Sequence, residues 1–284
     1  MSAAPRVDAH HHVWDLSVRD QEWTREFPLL HRSYGLDDLR PLLTQCAIRA
    51  TVVVQTLNVA EETPELLSLA KSNPVVAGVV GWVDLCAHDV AGRLARLKEL
   101  PGGQSLVGIR HLVQDEADEQ WLARPDVLRG LGDVADADLV YDLLVRPQQI
   151  PAALFAVKST PNLRFVLDHF GKPPIAAGQM EPWRSQMSEL ARCENVVVKF
   201  SGLVTEADHQ HWQPEDLRAY VEVILSTFGP SRVMFGSDWP VCQLAASYER
   251  VLSVAEELTH DLSGSERDDL FGQTAIRWYG LDLA

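Results

Sequence analysis

The sequence is poor in cysteine, in positive charge and in long apolar runs, and each scarcity excludes something. Its four cysteines, Cys46, Cys86, Cys193 and Cys242, lie far apart with no CxxC pair. That spacing builds neither a zinc knuckle nor a disulfide framework, and reduced thiols are expected. Lys and Arg number 25 against 40 Asp and Glu, a net charge of −15. Nucleic acid and anionic membrane surfaces recruit clustered positive charge, so neither is expected as a partner. No apolar run approaches the roughly 18 residues that a membrane-spanning helix needs. The opening Met1-Ser2-Ala3-Ala4-Pro5 has no basic segment leading into an apolar one, so no secretory leader is expected. A cytoplasmic protein with a small-molecule substrate is the resulting expectation, and homo-oligomerisation is compatible with it. With 284 residues and 46% apolar content the chain can fill a sizeable core.

Against that background Val7-Asp8-Ala9-His10-His11-His12-Val13-Trp14 is dense in ligand-type side chains. Side chains of a strand alternate faces with period two. Asp8, His10 and His12 are therefore expected to point one way, and Ala9, His11 and Val13 the other. Two imidazoles on one face reach a single metal ion or a single substrate oxygen. A long aromatic loop follows, Asp15 to Gly35, with Trp23, Phe27, Pro28 and Tyr34; loops of this length tend to bind ligands or act as lids.

From Leu36 onward helix and strand signals alternate. Helices are expected over Leu36–Cys46, Pro64–Ala70, His88–Leu100, Asp126–Ala137, Pro147–Ser159, Trp183–Cys193 and Asp216–Phe228. Strands are expected over Ala50–Thr56, which is apolar on both faces, and over Val75–Val83, Leu106–Val113, Asp138–Val145, Arg164–Phe170, Asn195–Ser201 and Arg232–Asp238. Two more helices, Ser247–Leu258 and Ser265–Tyr279, close the chain, the latter introduced by a Ser263-x-x-Glu266 capping box. Counting the opening strand, eight strands alternate with helices. The expected fold is α/β, a (β/α)8 TIM barrel formed by one domain over residues 1–284, with extra C-terminal helices. A doubly wound open sheet is the runner-up, but no Gly-rich phosphate turn follows the first strand.

In such a barrel the active site lies at the C-terminal ends of the strands. Those ends carry His10, His12 and Trp14; Gln55; Trp82 and Asp84; Arg110 and His111; Tyr141, Asp142 and Arg146; Asp168, His169 and Lys172; Lys199 and Ser201; and Asp238 and Trp239. The sharpest set is His10, His12, His169 and Asp238. Imidazoles with one carboxylate suit Zn²⁺ or a similar ion. Without a metal, the same groups polarise a carbonyl while Asp238 takes a proton from water. The plainer alternatives are a turn or N-cap role for Asp238 and a backbone-bonded core role for His169. Lys199 reads as a substrate contact or as a salt-bridged structural residue. Trp14, Trp23 and Trp239 read as pocket wall or as core. His209 and His211 repeat the two-apart spacing without a strand around them, which fits a solvated loop. Nothing beside Cys242 would activate a thiolate.

The combination of Asp8-x-His10-x-His12, His169 and Gly-Ser-Asp238 resembles the amidohydrolase superfamily. Longer stretches resemble its lactonase branch, the L-fuconolactonases and other aldonolactonases. These are Gly108-Ile-Arg-His-Leu-Val-Gln-Asp115, Leu167-Asp-His-Phe-Gly-Lys-Pro173, Val198-Lys-Phe-Ser-Gly-Leu-Val-Thr-Glu206, Phe235-Gly-Ser-Asp-Trp-Pro-Val-Cys242 and Thr274-Ala-Ile-Arg-Trp-Tyr-Gly280. The resemblance implies hydrolysis of a lactone, a sugar 1,4- or 1,5-aldonolactone in the first place. It implies Asp238 as general base, His10, His12 and His169 around the reacting carbonyl, and Trp14, Trp23, Arg110, His111, Tyr141, Lys199 and Trp239 shaping the pocket. One departure matters. Many metal-dependent members carry a histidine at the end of strand five, and binuclear ones a carboxylated lysine; Asp138-Leu-Val-Tyr-Asp-Leu-Leu-Val145 has neither. A binuclear site is thus not expected. A mononuclear divalent site would be short of one usual ligand, and the branch includes members that work without metal. A decarboxylase of the same superfamily and a hydrolase of carboxylated lactones, using Arg110, Arg146, Lys172 and Lys199, are the competing activities.

Overall fold

Eight parallel strands form one sheet in sequential order, each followed by a helical crossover. They are β1 (Arg6–His11), β2 (Ile48–Val54), β3 (Val76–Gly81), β4 (Leu106–His111), β5 (Val140–Leu143), β6 (Arg164–Leu167), β7 (Val196–Phe200) and β8 (Val233–Phe235). The helices are α1 (Leu36–Gln45), α2 (Glu62–Ser72), α3 (Val90–Glu99), α4 (Pro125–Asp136), α5 (Ile150–Ser159), α6 (Trp183–Ala191), α7 (Leu203–Glu206), α8 (Pro214–Phe228), α9 (Tyr248–Leu258), α10 (Gly264–Asp268) and α11 (Thr274–Tyr279). This computed structural model describes residues 4–283; the leader reading rests partly on residues 1–3, outside the described residues. The expected (β/α)8 barrel is the observed fold. No helix among the described residues is long and apolar enough to cross a membrane.

The sheet closes at the end of β1 and just beyond the end of β8. Asp238 N donates to His10 O at 2.8 Å and His12 N to Trp239 O at 2.7 Å. One apolar core fills the barrel interior, taking Val7 and Ala9 from β1, Val52 and Val54 from β2, and Val80, Val107, Val140, Val166, Val197 and Met234 from the remaining strands. Ala275, Tyr279 and Leu281 of the C-terminal segment join that core and plug the end of the barrel where the strands begin. A second, larger core lies between the barrel and its helices.

Two local departures from expectation have physical causes. The single helix expected over Ser265–Tyr279 is two: the capping box forms, with Ser263 Oγ accepting from Glu266 N, but a π turn at Asp269–Gln273 separates α10 from α11. Gly272 lies in that turn against Pro5, where a Cβ would sit 2.0 Å from the Pro5 carbonyl oxygen. The widened turn lets the chain pass the N-terminal segment. Helix α8 starts two residues before the expected Asp216, at Pro214, because proline's fixed φ suits the first turn and its missing N–H is not needed there. The aromatic loop after β1 is tied at its neck by paired Trp14–Tyr34 backbone bonds of 2.9 and 2.8 Å.

Helix α4 carries two glycines in unlike surroundings. A Cβ at Gly130 would lie 2.4 Å from the Leu85 carbonyl oxygen, whereas one at Gly132 meets nothing within 4 Å. Gly130→Ala is expected to destabilise the protein by about 1–3 kcal/mol through overpacking. Gly132→Ala is expected to be neutral or to stabilise by about 0.5–1 kcal/mol, since alanine restricts the unfolded chain. Thermal unfolding of the two variants checks this; equal shifts would refute it.

Candidate active site

The opening strand does not keep its alternation. Val7 and Ala9 both face the interior, so regular pleating would send His11 inward. Instead the pairing of β1 with β2 slips between Asp8 and His11. His10 and His12 then face the interior, and His11 turns outward onto Thr51, with Nε2 and Oγ1 3.0 Å apart. Asp8 does not share their face, contrary to the strict period-two reading. It points to the helix layer and accepts from Ser237 N at 2.8 Å, Ser237 Oγ at 2.6 Å and Tyr248 OH at 3.0 Å. Asp8 is therefore a clasp between β1, the turn after β8, and α9.

That turn presents Asp238, whose backbone is left-handed at φ +57°. Its Oδ1 lies 3.4 Å from His12 Nε2 and 3.7 Å from His10 Nε2. The two Nε2 atoms are 3.2 Å apart. His12 Nδ1 is 2.8 Å from the Val54 carbonyl oxygen; a proton donated there leaves Nε2 with its lone pair toward the site. Burial opposes the charged form of Asp238, but His169, His12 and His10 outweigh it and hold the carboxyl below the ordinary carboxylate range. Burial pushes His10 and His169 the other way, below the usual imidazole value, despite nearby carboxylates.

Asp168 and His169 directly follow β6, and had the strand continued through them they would face opposite sides. Both nevertheless reach the site because His169, Phe170, Gly171 and Lys172 all adopt positive φ. A left-handed run with three non-glycine members costs on the order of 1–3 kcal/mol per residue and persists only where its surroundings impose it. Here His169 Nδ1 bonds Ser201 Oγ at 2.8 Å. Gly202, at φ +63°, is packed so closely that a Cβ would lie 2.5 Å from His169 Nδ1. The His10 and His169 ring centroids are 4.6 Å apart.

Beneath the histidines the inward positions change character by one pleat. Gly108, Val140, Val166 and Val197 are each followed two residues later by a charged side chain: Arg110, Asp142, Asp168 and Lys199. Arg110 Nη1 lies 3.0 Å from Asp168 Oδ2 and 3.4 Å from His10 Nε2, and its Nη2 donates to the Gln55 carbonyl oxygen at 2.5 Å. Lys199 Nζ lies 2.5 Å from Asp142 Oδ2, 3.0 Å from Asp168 Oδ1 and 3.2 Å from His10 Nδ1. Burial and the neighbouring Asp168 push Asp142 up to about 6, against the pull of Lys199. Burial also opposes ionisation of Asp168, but Lys199, His10 and Arg110 draw that carboxyl well below its usual range.

Several candidates therefore change place. Lys199, expected among the substrate contacts, is wholly enclosed under His10 (0% exposed) and supports the site from below. Tyr141 points outward, edge-on to Phe165 at 6.1 Å between the barrel and its helices, because its neighbour Asp142 takes the inward position. Trp239 packs on Tyr34 and Trp14 on both Tyr34 and Trp23, as one aromatic cluster behind Asp238. Trp14 also lines a crevice of about 380 Å³ between the loop after β1 and α2, outside the barrel. His111 stacks on Trp121 at 4.1 Å, accepts from Trp82 Nε1 at 3.0 Å and meets Glu116 at 2.7 Å. His209 and His211 are exposed, as expected. The residues that sequence reasoning left without a role are Asp168, Asp142, Ser201 and Ser237. The inward i, i+2 step from valine to aspartate was the available signal for the first two.

The nitrogen and oxygen atoms of His10, His12 and Asp238 converge with separations of 3.2, 3.4 and 3.7 Å. Ligands about 2.0–2.1 Å from a tetrahedral ion stand roughly 3.3–3.4 Å apart, so this donor set fits a metal such as Zn²⁺. A second group, His10, Asp168 and His169, shares His10 with the first. Two buried cations, Arg110 and Lys199, flank the same imidazole.

A family model described as amidohydrolase matches residues 7–281. The L-fucono-1,5-lactonase of Burkholderia ambifaria is 40% identical over 284 residues, covering 98% of this chain and 96% of that protein. The L-fucono-1,5-lactonase of Burkholderia multivorans is 40% identical over 291 residues, with 98% and 97% covered. A crystal structure of an amidohydrolase from Burkholderia multivorans with bound Zn superposes with a TM-score of 0.91 at 39% identity, over 98% of this chain and 100% of that one. A family match over nearly the whole chain, with relatives of this identity over almost their full length, means that this chain belongs to the amidohydrolase family.

Proposed function

We propose that the protein opens a neutral sugar lactone, a 1,5- or 1,4-aldonolactone, with Asp238 as general base. It is a hydrolase acting on a carboxylic ester bond. The observation that carries the residue assignment is the placement of the Asp238 carboxylate, buried, charged and 3.4 Å from His12 Nε2. Asp238 takes a proton from water, and the water oxygen attacks the lactone carbonyl carbon. Negative charge growing on the carbonyl oxygen faces His10 and His169, with the cations Arg110 and Lys199 behind His10, while His12, its Nδ1–H directed to Val54, offers only a lone pair. The ring C–O bond breaks, and the proton held by Asp238 passes to the departing ring oxygen, leaving a hydroxy acid. His10, His12 and Asp238 would hold a zinc ion, with His169 and Asp168 adjoining. Such an ion polarises a carbonyl and lowers the pKa of bound water.

The preference for a neutral lactone rests on where the cations are spent. Lys199 is engaged by Asp142 and Asp168, Arg110 by Asp168, and Lys172 by Glu206. Arg146 donates to the Gln114 carbonyl oxygen and lies 4.0 Å from Asp115. A substrate carboxylate would have to break one of these pairs. Strand β5 gives the decarboxylase reading no support, since its inward Asp142 already holds Lys199 and Tyr279.

Three outcomes follow. Asp238→Asn, which keeps shape and removes the base, is expected to lower kcat/KM for an aldonolactone by about 10²–10⁴-fold with little change in Tm. Full activity in that variant would remove Asp238 from the chemistry. Across a substrate panel, neutral aldonolactones are expected to turn over at least about tenfold faster than ring-carboxylated lactones, a gap of roughly 1.4 kcal/mol; the reverse order would refute the charge argument. Because the two donor groups share His10, metal-stripped protein is expected to take up one Zn²⁺ per chain by calorimetry, and His12→Ala to abolish uptake. Two ions per chain, or undiminished binding by the variant, would overturn this assignment.

A further inference from the structure

The polar contacts under His10 run the length of the barrel. His10 Nδ1 lies 3.2 Å from Lys199 Nζ, which lies 2.5 Å from Asp142 Oδ2. The carboxylate of Asp142 is met from the other side by Tyr279, whose hydroxyl is 2.9 Å from Oδ1 and 2.8 Å from Oδ2. Tyr279 is the last residue of α11, in the plug at the opposite end of the barrel from the site. All four side chains are buried.

We propose that Tyr279 is a positioning residue for lactone opening, fixing the His10 ring through Asp142 and Lys199. The proposal rests on the reading of His10 as part of the reacting wall. Lys199 Nζ donates to Asp142 Oδ2 and stands 3.0 Å from Asp168 Oδ1 and 3.2 Å from His10 Nδ1. Asp168 Oδ1 is itself 3.4 Å from His10 Nδ1, so a His10 ring that keeps Nε2 for an ion directs its Nδ1–H to Asp168, with Lys199 holding that carboxylate in place. That arrangement holds only while Asp142 stays where it is. A buried carboxylate needs donors on its lone pairs, and the surrounding layer of Val140, Val166 and Val197 offers none. Without the tyrosine hydroxyl, Asp142 retains Lys199 alone. It then either turns both oxygens toward the ammonium or takes a proton, and each change alters how Lys199 holds Asp168 against His10. The tyrosine ring has a separate part: its centroid lies 5.4 Å from Lys199 Nζ, within cation–π range. Phenylalanine keeps that contact and the volume of the plug, so Tyr279→Phe isolates the hydroxyl.

The test compares Tyr279→Phe, Asp142→Asn, their double variant and Leu281→Ala on a lactone that the wild type opens. The expected loss in Tyr279→Phe is about ten- to hundredfold in kcat, the usual range for a supporting hydrogen bond, with KM unchanged within about twofold. Asp142→Asn should lose a similar factor, and the double variant no more than the worse single one, because both act on one path. Leu281→Ala damages the same plug without touching Asp142; it should lower Tm and leave kcat within about twofold. The ¹⁵N resonance of His10 Nδ1 should move in Tyr279→Phe and stay in Leu281→Ala. Wild-type kcat in Tyr279→Phe, losses that multiply in the double variant, or an equal kcat loss in Leu281→Ala would overturn the proposal. Should Tyr279→Phe not fold, Asp142→Asn carries the kinetic and NMR comparison. A wild type that opens no lactone sinks the lactone reading alone, since an unmoved His10 resonance still decides the positioning role.

Discussion

The interaction on which this protein depends is the seam between β1 and the turn after β8. A barrel needs its last strand to meet its first, and here the named strands do so only sparingly. The closing bonds come from Asp238 N to His10 O and from His12 N to Trp239 O. The backbones that close the fold therefore belong to the side chains that build the site. Asp8 reinforces the seam from outside, gathering Ser237 and Tyr248 on one buried carboxylate. Burial raises the pKa of that carboxyl, against these hydrogen bonds, so the clasp is held by geometry in a dry place. Relative placement of His10, His12 and Asp238 is then set by main-chain bonds instead of by flexible side chains, which is what preorganisation requires.

The second constraint is charge in the barrel interior. Four charged side chains, Arg110, Asp142, Asp168 and Lys199, stand one pleat above an apolar floor. Isolated, any one of them would be untenable at that depth. Together they neutralise one another, and their common neighbour is His10. The strain stored in the left-handed run His169 to Lys172 serves the same end, turning the two consecutive residues that follow β6 toward one point. Ser201 and Gly202 hold that strain in place, one by a hydrogen bond and one by having no side chain. Both cations of this layer, Arg110 and Lys199, are already paired within the protein.

Much of this was legible in the chain. Eight β-rich segments alternating with helical periods define a barrel through local hydrophobic pattern, which needs no knowledge of distant contacts. The rule that barrel chemistry sits at strand ends then selects His10, His12, Arg110, His169, Lys199 and Asp238 as candidates. Facing was harder. Asp8 was expected beside the histidines because period two is a property of regular pleating, and the slip against β2 is a property of the pair. Tyr141 and Asp142 are neighbours of equal prominence in the sequence; only closure of the barrel decides which one looks inward. The C-terminal helix was legible up to its interruption, since the π turn answers to Pro5, some 270 residues away in the chain.

By itself, then, the sequence determined the class of fold, the strand ends that carry the candidate donors and the kinds of donor available there, because propensity, periodicity and composition are local quantities. Tertiary structure decided which donors meet. It set Asp238 against His12, brought His169 inward through a left-handed turn and put Lys199 under His10 instead of in the pocket. It also joined Tyr279 at the far end of the barrel to the same imidazole. Those outcomes depend on register, closure and burial, and each of them is settled by contacts between residues far apart along the chain.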